Sequence, residues 1–130
     1  MNEIIIGSDH NGFQLKESLI KFLKSSNISV YDRGCYTADE CDYNSIGTDV
    51  SLMVTPCTNT EGILICGSGI GMSIIANKIR SSRAALCSSP EDAISSREIC
   101  NSNILVLAAN KLSEQEAIVI VAAWLNIGLN

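Results

Sequence analysis

The chain contains 130 residues, 46% of them hydrophobic and two of them proline, so it carries enough apolar material for a core and is not disordered. This length predicts a single domain over residues 1–130. The formal net charge of −5 argues against nucleic acid and against an anionic membrane surface as partners, and it favours a small-molecule ligand.

Five short apolar runs alternate with five helix-like segments along the chain. Near-continuous apolar runs are typical of parallel strands that are covered on both faces. The predicted strands are Ile4 to Ile6, Ser29 to Tyr31, Ile63 to Ile65, Ala84 to Leu86, and Ile104 to Leu107. The alternation predicts a doubly wound, three-layer α/β sandwich around a five-stranded parallel sheet. Ligands of such Rossmann-like folds bind at the carboxyl ends of the strands.

The segments between the strands carry helical spacing and helix start signals. The first helix repeats apolar residues at i, i+4, i+7 and i+8, namely Leu15, Leu19, Phe22 and Leu23. Ser89 places a capping hydroxyl before Pro90, and Ser113 forms a capping box with Glu116. The apolar run 117–125 is too short to cross a bilayer, which needs roughly 20 apolar residues.

The stretch ICGSGIGMS, residues 65–73, directly follows the third strand. Gly67, Gly69 and Gly71 remove every β-carbon from one side, so a ligand can lie against backbone N–H groups, as in an anion cradle. Cys66 stands at the carboxyl end of the strand, where the positive end of a following helix favours the thiolate. The stretch is therefore a candidate site for a phosphorylated or enolising ligand, although glycines at such turns also serve packing alone.

A second group of polar residues follows the first strand, with Ser8, Asp9 and His10 in succession. The carboxyl ends of parallel strands meet at one edge of a sheet, so these side chains are expected beside Cys66 and Ser68. A carboxylate, an imidazole, a thiol, a hydroxyl and an anion cradle then converge. That combination favours a catalytic site over a packing role for the glycines.

Six cysteines, at positions 35, 41, 57, 66, 87 and 100, are predicted to be reduced thiols of a cytoplasmic protein. Cys66 and Cys87 end apolar strand-like runs, and residues 1–3 lead into the first strand rather than into a signal peptide. A metal site is not expected, because the chain has no CxxC pair and His10 is its sole histidine. No other cofactor is predicted.

Four segments of the chain form a specific pattern: GSDHNGFQLKESL at 7–19, DY at 42–43, GILICGSGIGMSIIANK at 62–78 and RAALC at 83–87. Together they resemble the ribose-5-phosphate isomerase B family, which also contains the subunits of galactose-6-phosphate isomerase. The resemblance runs without obvious gaps from Ile4 to near Leu107. It implies metal-free aldose–ketose isomerisation of a small sugar phosphate through a cis-enediolate, with ribose 5-phosphate and ribulose 5-phosphate as the default pair.

The resemblance also implies roles for individual residues. Cys66 matches the family's base, which moves a proton between C1 and C2, and Ser68 matches a neighbouring hydroxyl that is more often threonine. The backbone of the glycine-rich turn would stabilise the enediolate oxygens. The positions expected to contact substrate are Asp9, His10, Gly67, Gly69, Ile70 and Gly71.

Some positions depart from the family pattern. Ile99 stands at the ring-opening histidine, which the family contributes across a dimer interface, and Cys100 stands at the adjacent asparagine. Asn110 replaces a phosphate-binding arginine, with Lys111 next to it. A homodimer or higher oligomer is expected. Two alternatives stay open: a heteromer whose paralogous subunit supplies the histidine, and a non-catalytic sugar-phosphate-binding relic, against which the retained thiol and hydroxyl argue.

Overall fold

The computed structural model describes residues 3–129, which form a five-stranded sheet covered by helices on both faces. In chain order the elements are β1 (Glu3–Ser8), α1 (Phe13–Ser25), β2 (Val30–Gly34), α2 (Tyr43–Met53), a 3-10 turn (Pro56–Thr58), β3 (Thr60–Cys66), α3 (Ile70–Asn77), β4 (Ala84–Leu86), α4 (Pro90–Glu98), β5 (Ile104–Ala108) and α5 (Glu114–Leu125). The predicted α/β class and Rossmann-like alternation are confirmed. Within residues 3–129 no helix has the length and apolar content needed to span a membrane.

The sheet is parallel throughout and has the strand order β2-β1-β3-β5-β4. β3 lies at the centre, paired with β1 on one side and with β5 on the other. β4 is an edge strand, so the connection from β3 through α3 passes over β5 before β4 begins. This order places the carboxyl end of β3 between the carboxyl ends of β1 and β5.

Side chains of the central strand alternate between two apolar layers. Ile63 and Ile65 pack with α1, α4 and α5, whereas Leu64 and Cys66 pack with α2 and α3. Each of these four residues is at most 5% exposed. Burial on both faces explains why the strands are continuous apolar runs rather than alternating ones.

Side-chain caps begin three of the helices. The Oγ of Ser89 accepts a hydrogen bond from the N–H of Asp92 at 3.1 Å, with Pro90 as the first residue of α4. At α5 the Oγ of Ser113 accepts from the N–H of Glu116 at 3.1 Å, and the carboxylate of Glu116 accepts from the N–H of Ser113 at 2.9 Å. Both predicted helix starts are confirmed. α2 begins in the same way, with Asp42 as its cap.

The prediction that all six cysteines are reduced is wrong for one pair. Cys35 and Cys41 form a disulfide in the loop between β2 and α2, and their Cα atoms lie 6.1 Å apart. Gly34, which precedes Cys35, has a φ of 111° that favours glycine, and the separation of the two Cα atoms lies within the usual range for a disulfide. The other four cysteines are free, as predicted.

Candidate active site

The loops that follow β1, β3 and β5 are joined to one another beyond the ends of the sheet. The N–H of Asp9 donates to the carbonyl oxygen of Ile65 at 3.1 Å. On the other side, the N–H of Ala109 donates to the carbonyl oxygen of Cys66 at 2.9 Å, and the N–H of Asn110 donates to that of Gly67 at 3.0 Å. These backbone hydrogen bonds hold the three loops together at the carboxyl ends of the strands. The predicted site residues at the ends of β1 and β3 are therefore brought together.

Cys66 is the last residue of β3 and is 5% exposed. Its side chain lies on the sheet face that packs against α2 and α3, in the apolar cluster that includes Leu64 and Met72. The thiol is free. A reactive group at this position is held at the carboxyl end of the central strand of the sheet.

The glycine-rich turn connects Cys66 to α3 through a left-handed residue. Gly69 has a φ of 76° and is the N-cap of α3, and a β-carbon there would lie 2.4 Å from a methyl group of Leu86. Both observations favour glycine at this position. The exposed Ser68 accepts a hydrogen bond from the N–H of Ile70 at 3.1 Å through its Oγ. One backbone donor of the cradle is therefore already used within the turn.

Tyr43 closes the α3 side of the turn. It is the first residue of α2 rather than a loop residue, and it is 39% exposed. A β-carbon at Gly71 would lie 2.9 Å from the Tyr43 ring, so the ring packs directly against the glycine backbone. The cradle is therefore bounded by an aromatic side chain on one side and by Leu86 on the other.

Asp9 and His10 have different surroundings. The buried Asp9 accepts a hydrogen bond from the N–H of Gly12 at 3.0 Å through Oδ1, which fixes the turn into α1. His10 is half-buried, and its Nδ1 has no hydrogen-bond partner among residues 3–129. The carboxylate therefore has a structural partner, whereas this buried imidazole nitrogen has none within residues 3–129.

Two asparagines that the sequence pattern did not assign to ligand binding lie beside Gly67. A β-carbon on Gly67 would be 2.8 Å from the Nδ2 of Asn110 and 3.4 Å from the Nδ2 of Asn11. Asn11 directly follows His10, so its place in the loop after β1 was a signal that it shares this edge.

Ile99 lies near the amino ends of the strands, whereas Cys66 lies at their carboxyl ends. It is the C-cap of α4 and is 80% exposed. The next residue, Cys100, accepts a hydrogen bond from the Nε of Arg83 at 2.7 Å through its carbonyl oxygen, and Arg83 directly precedes the amino end of β4. Ile99 is therefore near the amino ends of the strands, and it contributes nothing to the site of its own chain.

Comparisons with known proteins agree with this geometry. A family model described as Ribose/Galactose Isomerase matches residues 4–129. The ribose-5-phosphate isomerase B of Escherichia coli is 38% identical over 125 residues, covering 96% of this chain and 84% of that protein. A D-erythrulose-4-phosphate isomerase of Pectobacterium atrosepticum is 33% identical over 130 residues, covering 97% of this chain and 84% of its own.

Among solved structures, the crystal structure of a ribose 5-phosphate isomerase from Thermotoga maritima gives a TM-score of 0.93 at 39% identity, covering 97% of this chain and 87% of that chain. Fold and sequence thus agree. The chain belongs to the ribose/galactose isomerase family.

Proposed function

We propose that this protein is an aldose–ketose isomerase of a small phosphorylated sugar, with ribose 5-phosphate and ribulose 5-phosphate as the default pair. The observation that carries the proposal is the buried thiol of Cys66 at the carboxyl end of the central strand, followed at once by the glycine-rich turn. Membership of the ribose/galactose isomerase family supports the same reaction.

The proposed reaction moves one proton between two carbons. The Cys66 thiolate takes the proton from C2 of the open-chain aldose, and the electron pair of that C–H bond forms the C1–C2 double bond of a cis-enediolate. The resulting thiol then returns the proton to C1, and the proton of the C2 hydroxyl passes to the C1 oxygen, so that C2 becomes the ketone and C1 carries a hydroxyl group. Reactant and product are isomers, so no oxidant or other co-reactant is needed.

The turn after Cys66 supplies hydrogen-bond donors to the negative oxygen of the enediolate. The Oγ of Ser68 accepts from Ile70, so the hydrogen of its hydroxyl is left to donate to a ligand oxygen. Backbone N–H groups between Gly67 and Gly71, apart from that of Ile70, act in the same direction. Fixed donors aimed at a developing oxyanion are usually the largest single catalytic contribution.

Asp9 and His10 are proposed to bind the substrate beside the turn. The Oδ1 of Asp9 is held by Gly12, whereas its Oδ2 accepts no hydrogen bond from residues 3–129 and is open to a sugar hydroxyl. The Nδ1 of His10 is likewise unpartnered within residues 3–129. Asp9 is therefore proposed to accept hydrogen bonds from both Gly12 and a sugar hydroxyl. His10 is proposed to donate a hydrogen bond to an oxygen of the ligand.

The protein is further proposed to act as a homodimer or higher oligomer. Ile99 stands where the family has a histidine contributed across a dimer interface, and Cys100 stands at the adjacent asparagine. Both residues are exposed, near the amino ends of the strands and far from Cys66 of the same chain. The end of α4 can therefore approach a Cys66 thiol only on another subunit. The exposed end of α4 is also compatible with a heteromer, in which a paralogous subunit supplies the histidine.

The test is the Cys66→Ala variant, assayed in D2O on ribose 5-phosphate and on erythrose 4-phosphate, which does not need ring opening. Wild type should incorporate solvent deuterium at the reacting carbon, and Cys66→Ala should lose activity by about 100-fold to 10,000-fold or more, because the base is deleted. Cys57→Ala is the matched control, since Cys57 is an exposed free cysteine in the 3-10 turn. It should be unchanged.

Two outcomes would contradict the proposal. Normal turnover by a folded Cys66→Ala protein would remove the thiol from the mechanism. Binding of ribose 5-phosphate and erythrose 4-phosphate by wild type without turnover or deuterium exchange on either sugar would favour the sugar-phosphate-binding relic instead. Thermal unfolding of each variant, followed by circular dichroism, shows whether an activity loss reflects chemistry or folding.

A further inference from the structure

The loop between β2 and α2 has few hydrogen bonds to the rest of the protein. Residues 36–40 are exposed. Within the part of the chain that the structure describes, the hydrogen bonds of residues 36–41 reach only the loop itself and β2. Cys41, near the end of this loop, is joined by a disulfide to Cys35 at its start. The disulfide is therefore the covalent link that ties the far end of the loop to the sheet.

Cys35 is the fixed end of this link. It is 2% exposed and belongs to the apolar cluster that contains Leu64 and Met72. Its N–H donates to the carbonyl oxygen of Ser8, the last residue of β1, at 2.9 Å. Cys41 is half-buried and packs against the same cluster. The disulfide thus fastens Cys41 to a point that is held by both β1 and β2.

The position of Tyr43 depends on this attachment. Tyr43 stands two residues after Cys41 and is the first residue of α2. Residues 42–45, the cap and first turn of the helix, are all exposed, and the first buried residue of α2 is Ile46. The contact that the first turn makes with the site is the packing of the Tyr43 ring against Gly71. A first turn with so little burial is held in place chiefly by the chain that precedes it.

The remainder of α2 is anchored without the disulfide. Ile46 and Val50 are buried in the core, and Arg33 of β2 forms an ion pair with Asp49 in the middle of the helix. These contacts stay in place when the disulfide opens. Opening it therefore releases the loop and the first turn of α2, while the body of the helix remains on the sheet.

We propose that the Cys35–Cys41 disulfide is a positioning element that holds the Tyr43 ring against Gly71 and so keeps the cradle beside Cys66 in its binding shape. This inference rests on the proposed isomerase function, to which it adds a dependence on thiol reductants. With the disulfide open, the ring leaves the glycine backbone for part of the time. The cradle then loses its aromatic boundary, and substrate binds more weakly.

A dithiol is the class of reductant that opens the link. Its thiolate attacks the sulfur of Cys41, the less buried of the two cysteines, and displaces the sulfur of Cys35. The second thiol of the reductant then closes onto the first, which forms the reductant's own disulfide and releases Cys41. The two protons of the dithiol end on Cys35 and Cys41. An oxidised dithiol reverses the reaction, so the effect on binding is reversible.

The first experiment observes the tyrosine ring directly, by fluorine NMR of protein that contains 3-fluorotyrosine. The chain has three tyrosines, and substituting each by phenylalanine assigns their signals. Reduction with dithiothreitol should narrow the Tyr43 signal and move it towards its position in the unfolded protein, whereas Tyr31 on β2 should not change. Cys41→Ser should give the reduced spectrum without dithiothreitol. Cys57→Ser, which removes an exposed free cysteine, should give the wild-type spectrum.

The second experiment measures turnover of erythrose 4-phosphate, which does not need ring opening. Reduction of wild type should raise KM by about 2-fold to 10-fold, the range that corresponds to one aromatic contact, and leave kcat unchanged. The Cys35→Ser/Cys41→Ser double variant should have the raised KM with or without dithiothreitol. Tyr43→Ala should also have a raised KM, and reduction should not raise it further, because the ring through which the disulfide acts is absent.

The outcomes separate this inference from the proposed function. A Tyr43 signal that does not change, in protein whose mass after alkylation shows an open disulfide, would overturn the inference. A displaced ring with KM unchanged, or a rise in KM that persists in Tyr43→Ala, would also overturn it. A wild-type protein that isomerises neither erythrose 4-phosphate nor ribose 5-phosphate, but whose Tyr43 signal responds to reduction, would reject the proposed function and retain the positioning of Tyr43.

Discussion

The six cysteine side chains differ sharply in their access to solvent. Cys57 and Cys100 are exposed, and Cys66 and Cys87 are buried. Cys35 and Cys41 are joined to each other. Burial raises the pKa of the Cys87 thiol, which lowers its thiolate fraction at a given pH and so lowers its reactivity. The residues therefore fall into three chemical groups of two.

This grouping predicts the result of labelling with a maleimide, followed by mass spectrometry. A monomer should gain two adducts rapidly, at the exposed Cys57 and Cys100, whereas an oligomer that covers the end of α4 should gain one rapidly, at Cys57. Unfolding without reductant should raise the number to four, because Cys66 and Cys87 become accessible. Unfolding with reductant should raise it to six, and Cys57→Ser should remove one rapid adduct. Six adducts on unfolding without reductant would contradict the disulfide between Cys35 and Cys41.

Site residues could be predicted from the sequence only where they stand at or directly after the carboxyl end of a strand. Cys66 ends one buried strand and Asp9 follows another, so the shared carboxyl end of a parallel sheet was sufficient to bring them together. The packing of Tyr43 against Gly71 has no signal in the sequence, because it depends on how α2 and α3 meet across the sheet face. The Cys35–Cys41 disulfide depends on the path of an irregular loop, for which the sequence has no periodicity to interpret.

At the scale of single elements, local signals were the most reliable. The runs predicted as β1, β3, β4 and β5 lie within the observed strands, whereas β2 begins at Val30, one residue after the predicted start. Helix starts with a capping hydroxyl were confirmed because such caps involve residues three positions apart. Local signals do not place β5 between β3 and β4, since alternating strands and helices are compatible with more than one strand order.

The capping box of α5 predicts a pH-dependent contribution to stability. Hydrogen bonds from the Ser113 backbone and then its side chain lower the pKa of Glu116 from 4.5, and a lowered folded-state pKa stabilises the protein above the unfolded value. The free energy of unfolding of wild type should therefore exceed that of Glu116→Gln at pH 7. The difference should shrink as the pH falls below 4.5.

Ser113→Ala provides the control for this effect. It deletes the hydroxyl that caps α5 and should cost about 1 kcal/mol of stability at neutral pH. With the capping hydrogen bonds weakened, substituting Glu116 in the Ser113→Ala background should change stability less than it does in wild type. Urea unfolding of the four proteins at several pH values measures these differences. Equal effects of Glu116→Gln in both backgrounds would show that the box does not act as a unit.

At the scale of the whole molecule, the fold separates Cys66 from Ile99 by the length of a strand. β5 has five residues, which at ~3.3 Å per residue is roughly 15 Å. A group at the C-cap of α4 therefore acts on Cys66 only in an assembly that places one subunit's amino edge beside another's carboxyl edge. Ile99, exposed and apolar, suits a contact between subunits but carries no group that transfers protons.

Because Ile99 carries no acid–base group, we expect the protein to discriminate between cyclic and open-chain sugar phosphates. Pentose and hexose phosphates are mostly cyclic and must open before a proton leaves C2, and a positioned acid–base group typically contributes ~100-fold to 10,000-fold to such a step. A tetrose 4-phosphate has no free hydroxyl placed to close a ring, so it does not need that group. A relative from Pectobacterium atrosepticum is named as a D-erythrulose-4-phosphate isomerase, so at least one related protein is named for a four-carbon sugar phosphate.

The homomer is therefore expected to be slow on ribose 5-phosphate and relatively faster on erythrose 4-phosphate. Ile99→His, or a histidine-bearing paralogous subunit, should restore activity on ribose 5-phosphate because it supplies the missing acid–base group at the subunit contact, while leaving erythrose 4-phosphate turnover nearly unchanged. Comparing kcat/KM of wild type and Ile99→His on both sugars measures this, with Ile99→Ala as the control for simple loss of the apolar side chain. A wild-type homomer already fast on ribose 5-phosphate would mean that another group, with His10 the first candidate, opens the ring.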